Sequence, residues 1–147
     1  MTQTAITIRL GKAEDTEALI GLDTTIPYDK QRPGQIRKWI EANTCYVMQT
    51  KGSIIAYGVL HYHFFGNAFI EMLMVAQKYR RIHLGSQLIS YWKQNCTQPK
   101  LFTSTNQSNI PMQNLLAQSG FKVSGAIENL DPNDPEIIYF CDLRGEK

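Results

Sequence analysis

Near the middle of the chain the spacing of apolar residues changes from two to nearly four, and that change constrains the fold more than any other feature. Residues 45–49, 53–65 and 67–76 are rich in β-branched and aromatic side chains, and the turn signals Lys51-Gly52 and Gly66-Asn67 separate them. They predict an antiparallel meander. Directly afterwards Leu84, Leu88, Ile89, Trp92 and Cys96 fall on one side of a helix that ends before Pro99. A meander feeding an amphipathic helix needs a sheet with helices packed on it.

The flanking segments extend that order. Ile6, Ile8 and Leu10 alternate with polar neighbours as a first strand, and residues 12–22 have the composition of a helix. Residues 23–34, with Pro27 and Pro33, break the pattern before a short helix over 35–42. Beyond the central helix, residues 101–105 predict a strand, 109–118 a helix closed by Gly120, and 121–127 with 137–143 a final hairpin. The chain has 147 residues, 43% of them hydrophobic, which suits a single domain over 1–147 with its own core.

Charge and cysteine usage narrow the classes. The net charge is +2, too weak to imply nucleic acid or a membrane surface. Its distribution says more: residues 72–127 hold Lys78, Arg80, Arg81, Lys93, Lys100 and Lys122 and no acid, so this stretch carries +6 and the remainder −4. The asymmetry suggests an anion handled in the middle of the chain. Cys45, Cys96 and Cys141 are odd in number and far apart, which indicates neither a disulfide framework nor a CxxC metal or redox site. The first ten residues lack the basic start and apolar run of a signal peptide, and no stretch approaches the roughly 18 apolar residues of a membrane span. A soluble cytoplasmic protein is expected.

The segment Tyr79-Arg80-Arg81-Ile82-His83-Leu84-Gly85-Ser86 lies where a strand passes into a helix. Successive backbone N–H groups there, with the helix dipole behind them and Gly85 permitting close approach, form an anion site that suits a pyrophosphate. The segment resembles the acyl-CoA loop of the GNAT N-acetyltransferase superfamily, whose pattern is Q/R-x-x-G-x-G/A. Arg80 matches its first position and Gly85 its last, while His83 replaces the middle glycine. His83 keeps its N–H, and no glycine is required there if its φ is negative. Leu73-Met74-Val75 resembles the family strand whose backbone meets the pantetheine and thioester. Asn109, and residues 115–121 ending in Gly120-Phe121, resemble the following helix and its turn.

The resemblance implies an α/β (α+β) fold: a mixed, strongly twisted sheet of about six or seven strands flanked by about four helices. It also implies acetyl-CoA as cosubstrate, held by Leu73, Met74, Val75, Arg80, Arg81, Ile82, His83, Leu84, Gly85, Ser86 and Asn109. Acyl-CoA would lie where the strands around Val75 and Leu101 splay. The implied reaction is acetyl transfer to a primary amine of a small molecule or peptide by direct attack, with a backbone N–H near Met74 polarising the carbonyl. It needs no metal and no covalent enzyme intermediate, in agreement with the absence of an activated Cys or Ser motif. The chain would act as a monomer or homodimer.

Glu71 is the one charged residue in 68–76, a run apolar on both faces and so expected to be a central strand. Burial there would raise its pKa toward the range of a general base, the role that relatives give to an acid on this strand. A structural acid or a substrate-orienting group are the other readings. Two further positions depart from the family pattern. Leu116 stands where relatives often carry a tyrosine proposed to protonate the thiolate, and Ser104 stands where others carry a base on the next strand. These departures leave open an acyl-CoA-binding or sensor protein with little catalysis.

Other groups admit two readings each. His61 and His63 share a strand face and would hold a metal only with a third ligand; they would otherwise line a pocket or simply pack. Residues 128–136 carry four acids and no base, either a solvated tip or a rim that steers a protonated amine. Tyr28, Trp39 and Tyr62 either line the acceptor pocket or pack. A nucleic-acid-binding module is the rival class, since Tyr79, Tyr91, Trp92 and Phe102 interleave with the basic stretch, but these aromatics fall mostly at core-facing positions.

Overall fold

The change of period at Leu84 marks a real boundary. In the computed structural model, which describes residues 5–80 and 82–145, the third strand of the meander ends at Val75 and the helix it feeds spans Leu84–Asn95. The strands are β1 (Thr7–Leu10), β2 (Cys45–Thr50), β3 (Ser53–Phe64), β4 (Asn67–Val75), β5 (Lys100–Asn106), β6 (Lys122–Ile127) and β7 (Glu136–Asp142). The helices are α1 (Thr16–Leu22), α2 (Arg32–Glu41), α3 (Leu84–Asn95) and α4 (Ile110–Gln118). The seven strands form one mixed sheet in the order β1-β2-β3-β4-β5-β7-β6. Two compact units make up the chain: residues up to Leu60 with Met72–Leu88, and His61–Glu71 with the residues from Ile89 onward.

In the first unit β1, β2 and β3 run antiparallel, with Thr7 opposite Gln49 and Cys45 opposite Val59. Leu19 of α1 and Ile36 and Ile40 of α2 cover Cys45, Val47, Tyr57, Val59 and Met74. Burying each large apolar side chain of this set stabilises by about 1.5–3 kcal/mol, which fixes both helices on the sheet. Pro33 does not interrupt α2, as its place in the expected 23–34 break implies. It sits in the helix's first turn, where its missing N–H has no intrahelical partner to lose.

In the second unit β4 pairs with β5 in parallel, Ala68 opposite Leu101 and Ile70 opposite Thr103, and β5 pairs antiparallel with β7. One face of these strands, with Ala68, Ile70, Leu101, Thr103, Tyr139 and Cys141, is buried. The buried Thr103 hydroxyl donates to the Ile70 carbonyl at 2.8 Å, so it leaves no polar group unpaired. Asn109 caps α4 by accepting the Met112 N–H at 3.2 Å. At the other end Gly120, φ +89°, closes the helix: Phe121 N–H reaches the Leu116 carbonyl at 3.0 Å and Gly120 N–H the Ala117 carbonyl at 3.2 Å. This left-handed cap is the glycine function expected at that position.

The β3–β4 turn centres on Phe65 (φ +51°) and Gly66 (φ +79°), one residue earlier than the Gly66-Asn67 signal implies. Two-residue hairpin turns of the twist-compatible hand need positive φ at both central positions, and here a phenylalanine takes the first while its ring stays 90% exposed. On the far side, β6 meets β7 with a slip in register between Val123 and Gly125, and Gly125 has φ +145°.

Candidate active site

β4 delivers Leu73, Met74 and Val75 to the start of the loop, Met74 buried and its neighbours half-buried. A 3-10 turn over Gln77–Tyr79 follows, and Arg80 then folds back. Its Nε donates to the Val75 carbonyl at 3.0 Å and an Nη to the Thr24 hydroxyl at 3.2 Å, with Met74 Sδ at 3.6 Å. Arg80 thus ties the loop to the end of β4 and to the segment after α1. Lys78 Nζ lies 5.3 Å from the centre of the Tyr79 ring. A cleft of about 850 Å³ opens beside this turn, lined by Thr24, Tyr28, Gln77, Lys78, Tyr79 and Arg80 among others.

Arg81 lies outside the described residues. Ile82 is exposed, and His83 is exposed with φ +65°. The condition under which His83 would need no glycine is therefore not met, because the residue sits in the left-handed region that only a glycine occupies without strain. Histidine is enriched there over most side chains, which explains how the turn survives. The His83 carbonyl accepts the Gln87 N–H at 3.1 Å and so opens α3. Helix geometry leaves the N–H groups of Leu84, Gly85 and Ser86 without an intrahelical acceptor, at the positive end of a twelve-residue helix. Leu84 is buried and anchors the turn, while Gly85 and Ser86 are half-buried. These donors suit a pyrophosphate. Asn109 uses its side chain as the α4 cap.

Glu71 departs from expectation. β4 is a central strand, but the Glu71 side chain is 43% exposed, so burial does not keep this carboxylate from water. The reason is parity: Ala68 and Ile70 take the buried face, and Phe69 and Glu71 take the other. Glu71 Oε1 stands 3.3 Å from His61 Nε2. The His61 ring stacks on His63 at 5.6 Å between centres, and its Nδ1 accepts the His63 N–H at 3.0 Å. Burial pushes the His61 pKa below its usual value and His63 adds to this, against the pull of Glu71. His61 thus lines a carboxylate, and no group of three or more His, Cys, Asp or Glu among the described residues could hold a metal.

The positions where relatives carry acid or base do other work here. Leu116 is fully buried, and the Ser104 hydroxyl donates to Glu136 at 2.6 Å. Asp131 and Asp134 are no merely solvated tip: Asp131 accepts from Asn106 at 2.9 Å, and Asp134 accepts the Ser108 hydroxyl and N–H at 2.6 and 3.0 Å. Tyr28 is 90% exposed, whereas Trp39 packs into the core of its unit.

Sequence reasoning missed a buried polar centre. Asp23, at the end of α1, accepts from Thr25 N–H and Oγ1 at 2.8 and 2.6 Å, from Tyr57 Oη at 2.5 Å and from Arg32 at 3.0 Å. Burial pushes the Asp23 carboxyl up, but the hydrogen bonds from Thr25 and Tyr57 and the Arg32 charge outweigh it and hold it below the ordinary range. Burial, reinforced by Asp23, pushes the Tyr57 phenol up. Arg32 also lies 5.8 Å above the Trp39 ring and 3.6 Å from Met72 Sδ. Asp23 and Arg32 fall in the Pro-containing break, which has no periodicity to mark them as core.

The Acetyltransferase (GNAT) family model matches residues 13–121. The chain belongs to the GNAT acetyltransferase family. A GNAT acetyltransferase from Bacillus cereus ATCC 10987 superposes with TM-score 0.86 at 29% identity, over 94% of this chain and 97% of its own. The N-acetyltransferase of Staphylococcus aureus Mu50 gives 0.77 at 19% identity, over 95% and 99%. The yncA protein of Salmonella typhimurium, solved with its cofactor acetyl-CoA, gives 0.74 at 15% identity, over 95% and 94%. Among curated proteins none matches the chain. The mixed seven-stranded sheet with four helices is the fold of these GNAT neighbours. No helix among the described residues is long and apolar enough to cross a membrane.

Proposed function

We propose that this GNAT chain transfers the acetyl group of acetyl-CoA to a primary amine by direct attack. The observation that carries the reading is the loop after β4: Arg80 locked on the Val75 carbonyl, followed by the N–H groups of Leu84, Gly85 and Ser86, which the start of α3 leaves without an intrahelical acceptor. The residues that would hold the cosubstrate are Leu73 to Val75, Arg80 to Ser86 and Asn109. A pyrophosphate takes the N–H donors and gains from the helix dipole.

Glu71 takes a proton from the incoming ammonium, and the neutral nitrogen adds to the thioester carbonyl while a backbone N–H near Met74 stabilises the developing oxyanion. The Glu71 carboxylate is open to solvent beside His61 Nε2, so an incoming ammonium can reach it. With Leu116 buried and apolar, the departing thiolate takes its proton from water. The three cysteines are all buried, which supports a reducing, cytoplasmic setting.

A second reading, an acyl-CoA-binding protein with little catalysis, is favoured by one observation, the leucine at position 116. Two measurements separate them. Saturating CoA raises the melting temperature on both readings, by about 2.7 kcal/mol of stability at a hundredfold excess over Kd. Release of free thiol from acetyl-CoA on addition of a pool of primary amines occurs only on the first. A melting curve that CoA does not move overturns both.

A further inference from the structure

The face of the second unit that carries Glu71 also carries a row of aromatic rings. Phe69 lies opposite Phe102, and Phe102 opposite Phe140, so one ring from each of β4, β5 and β7 stands on the same side of the sheet. Phe64 of β3 joins them, 4.6 Å from Phe69 and 5.2 Å from Phe102 between ring centres, and Phe102 lies 5.3 Å from Phe140. His61 completes the row at 5.5 Å from Phe69. The opposite face, with Ala68, Ile70, Leu101 and Thr103, is buried, but all four phenylalanines stay half-exposed. Four half-buried rings side by side on one strand face present an apolar surface that a further apolar group can cover.

Charge decides what docks. At one end of the row stands the exposed carboxylate of Glu71, two positions along β4 from Phe69 and therefore about 6.6 Å further along the strand. Its neighbour His61 receives the His63 N–H on Nδ1, so the proton of its neutral ring sits on Nε2 and it adds no positive charge to cancel the acid. A flat apolar platform that ends in an anion, at the spacing of a short alkyl arm, is complementary to a molecule with an aromatic ring at one end and an ammonium group at the other.

We infer that the acceptor is a small arylalkylamine whose ring stacks on Phe69 and Phe102 while its ammonium group meets Glu71. This rests on the acetyltransferase reading and names its acceptor class. The ammonium gives one proton to Glu71. The freed nitrogen forms the new C–N bond to the acetyl carbon, the C–S bond breaks, and the second proton leaves the nitrogen as the departing CoA thiolate takes one from solvent. The products are the N-acetylated arylalkylamine and CoA.

The test compares kcat/KM of the wild-type chain for phenethylamine, for an alkylamine of the same length and for spermidine, with CoA binding measured in parallel. The expected result is a preference for the arylalkylamine of about tenfold or more, the scale of one well-made aromatic stacking contact with the area it buries. In Phe102→Leu, which retains an apolar side chain, that ratio falls about tenfold through KM while CoA binding shows the chain still folded. Turnover of the alkylamine or spermidine equal to or above phenethylamine overturns the inference and leaves the acetyltransferase reading standing. CoA binding without turnover of any amine overturns both. A Phe102→Leu variant that keeps its ratio but dissociates in sedimentation shows that the row is a contact between copies, which also overturns the inference.

Discussion

His61 Nε2 stands 3.3 Å from Glu71 Oε1 while His61 Nδ1 accepts the His63 N–H at 3.0 Å. The second contact fixes the first: an acceptor nitrogen carries no proton, so the ring's one N–H points at the carboxylate. Glu71→Gln keeps shape and hydrogen bonding but removes the base, and kcat should fall roughly 10²- to 10⁴-fold with CoA affinity unchanged. Steady-state kinetics with a calorimetric CoA titration checks this. His61 is held below its usual pKa, chiefly by burial, so its neutral form is the one the fold favours. That contribution is whole above the unfolded value near 6.5 and is lost as pH falls through the folded one. His61→Gln should flatten the loss of stability on that acid side, read from denaturant midpoints at a series of pH values.

Gly85→Val places a β-branched side chain beside the N–H groups that open α3. CoA binding should weaken by tenfold or more while the melting temperature moves little, because the position is only half-buried. His83→Gly tests the other glycine of the pattern. At φ +65° a non-glycine residue bears strain of about 1–2 kcal/mol, and glycine gives part of the gain back to the unfolded chain. A net stabilisation of about 0.5–1 kcal/mol is expected in chemical denaturation, with CoA binding retained or tightened.

Tyr57→Phe removes a donor to a carboxylate whose side chain is fully buried. The cost should be about 1–3 kcal/mol. The Asp23 pKa is depressed in the fold, so its stabilisation is present above about pH 4 and lost as pH falls through the folded value. Without the Tyr57 hydroxyl that value rises, and acid unfolding followed by circular dichroism should begin at a higher pH than in the wild type.

Burial pushes the Cys45 thiol up to about 12, with the Asp15 charge adding to it, and Cys96 and Cys141 are also buried. A disulfide reagent at pH 8 should therefore label none of the three rapidly in the native state and all three in guanidinium. Rapid native labelling would show an opening of the core that the packing does not contain.

The parts of this fold that were legible in the sequence are those with a strong local cause. The meander, the helix from Leu84 and the Gly120 closure of α4 each follow from periodicity or from the one residue type a left-handed cap prefers. Three features depend on partners distant in sequence. The burial of Glu71 was misjudged because an apolar run is read as covered on both faces, whereas Phe69 belongs to a half-exposed face and only Ala68 and Ile70 are enclosed. The Asp23, Arg32 and Tyr57 centre joins a helix end, a helix start and a strand that no local pattern links. The backbone sign at His83 depends on the turn that α3 imposes, which a residue name alone does not report. The place of the loop was legible because its signals are local: basic residues, a glycine and the start of α3 in consecutive positions.

The register slip near Gly125 bears on how crowded this protein can become. β6 stands last in the sheet, and all six of its residues are exposed. A straight outermost strand offers its bare backbone groups to any other chain in the same state, and stacks of strands grow that way. The slip twists β6 out of a continuous ladder, and Lys122 adds charge at its start. Gly125 pays in local rigidity for colloidal tolerance: a β-branched residue there, with Ser124 deleted to straighten the strand, would turn a self-terminating margin into a template, and concentrated solutions would turn cloudy on standing.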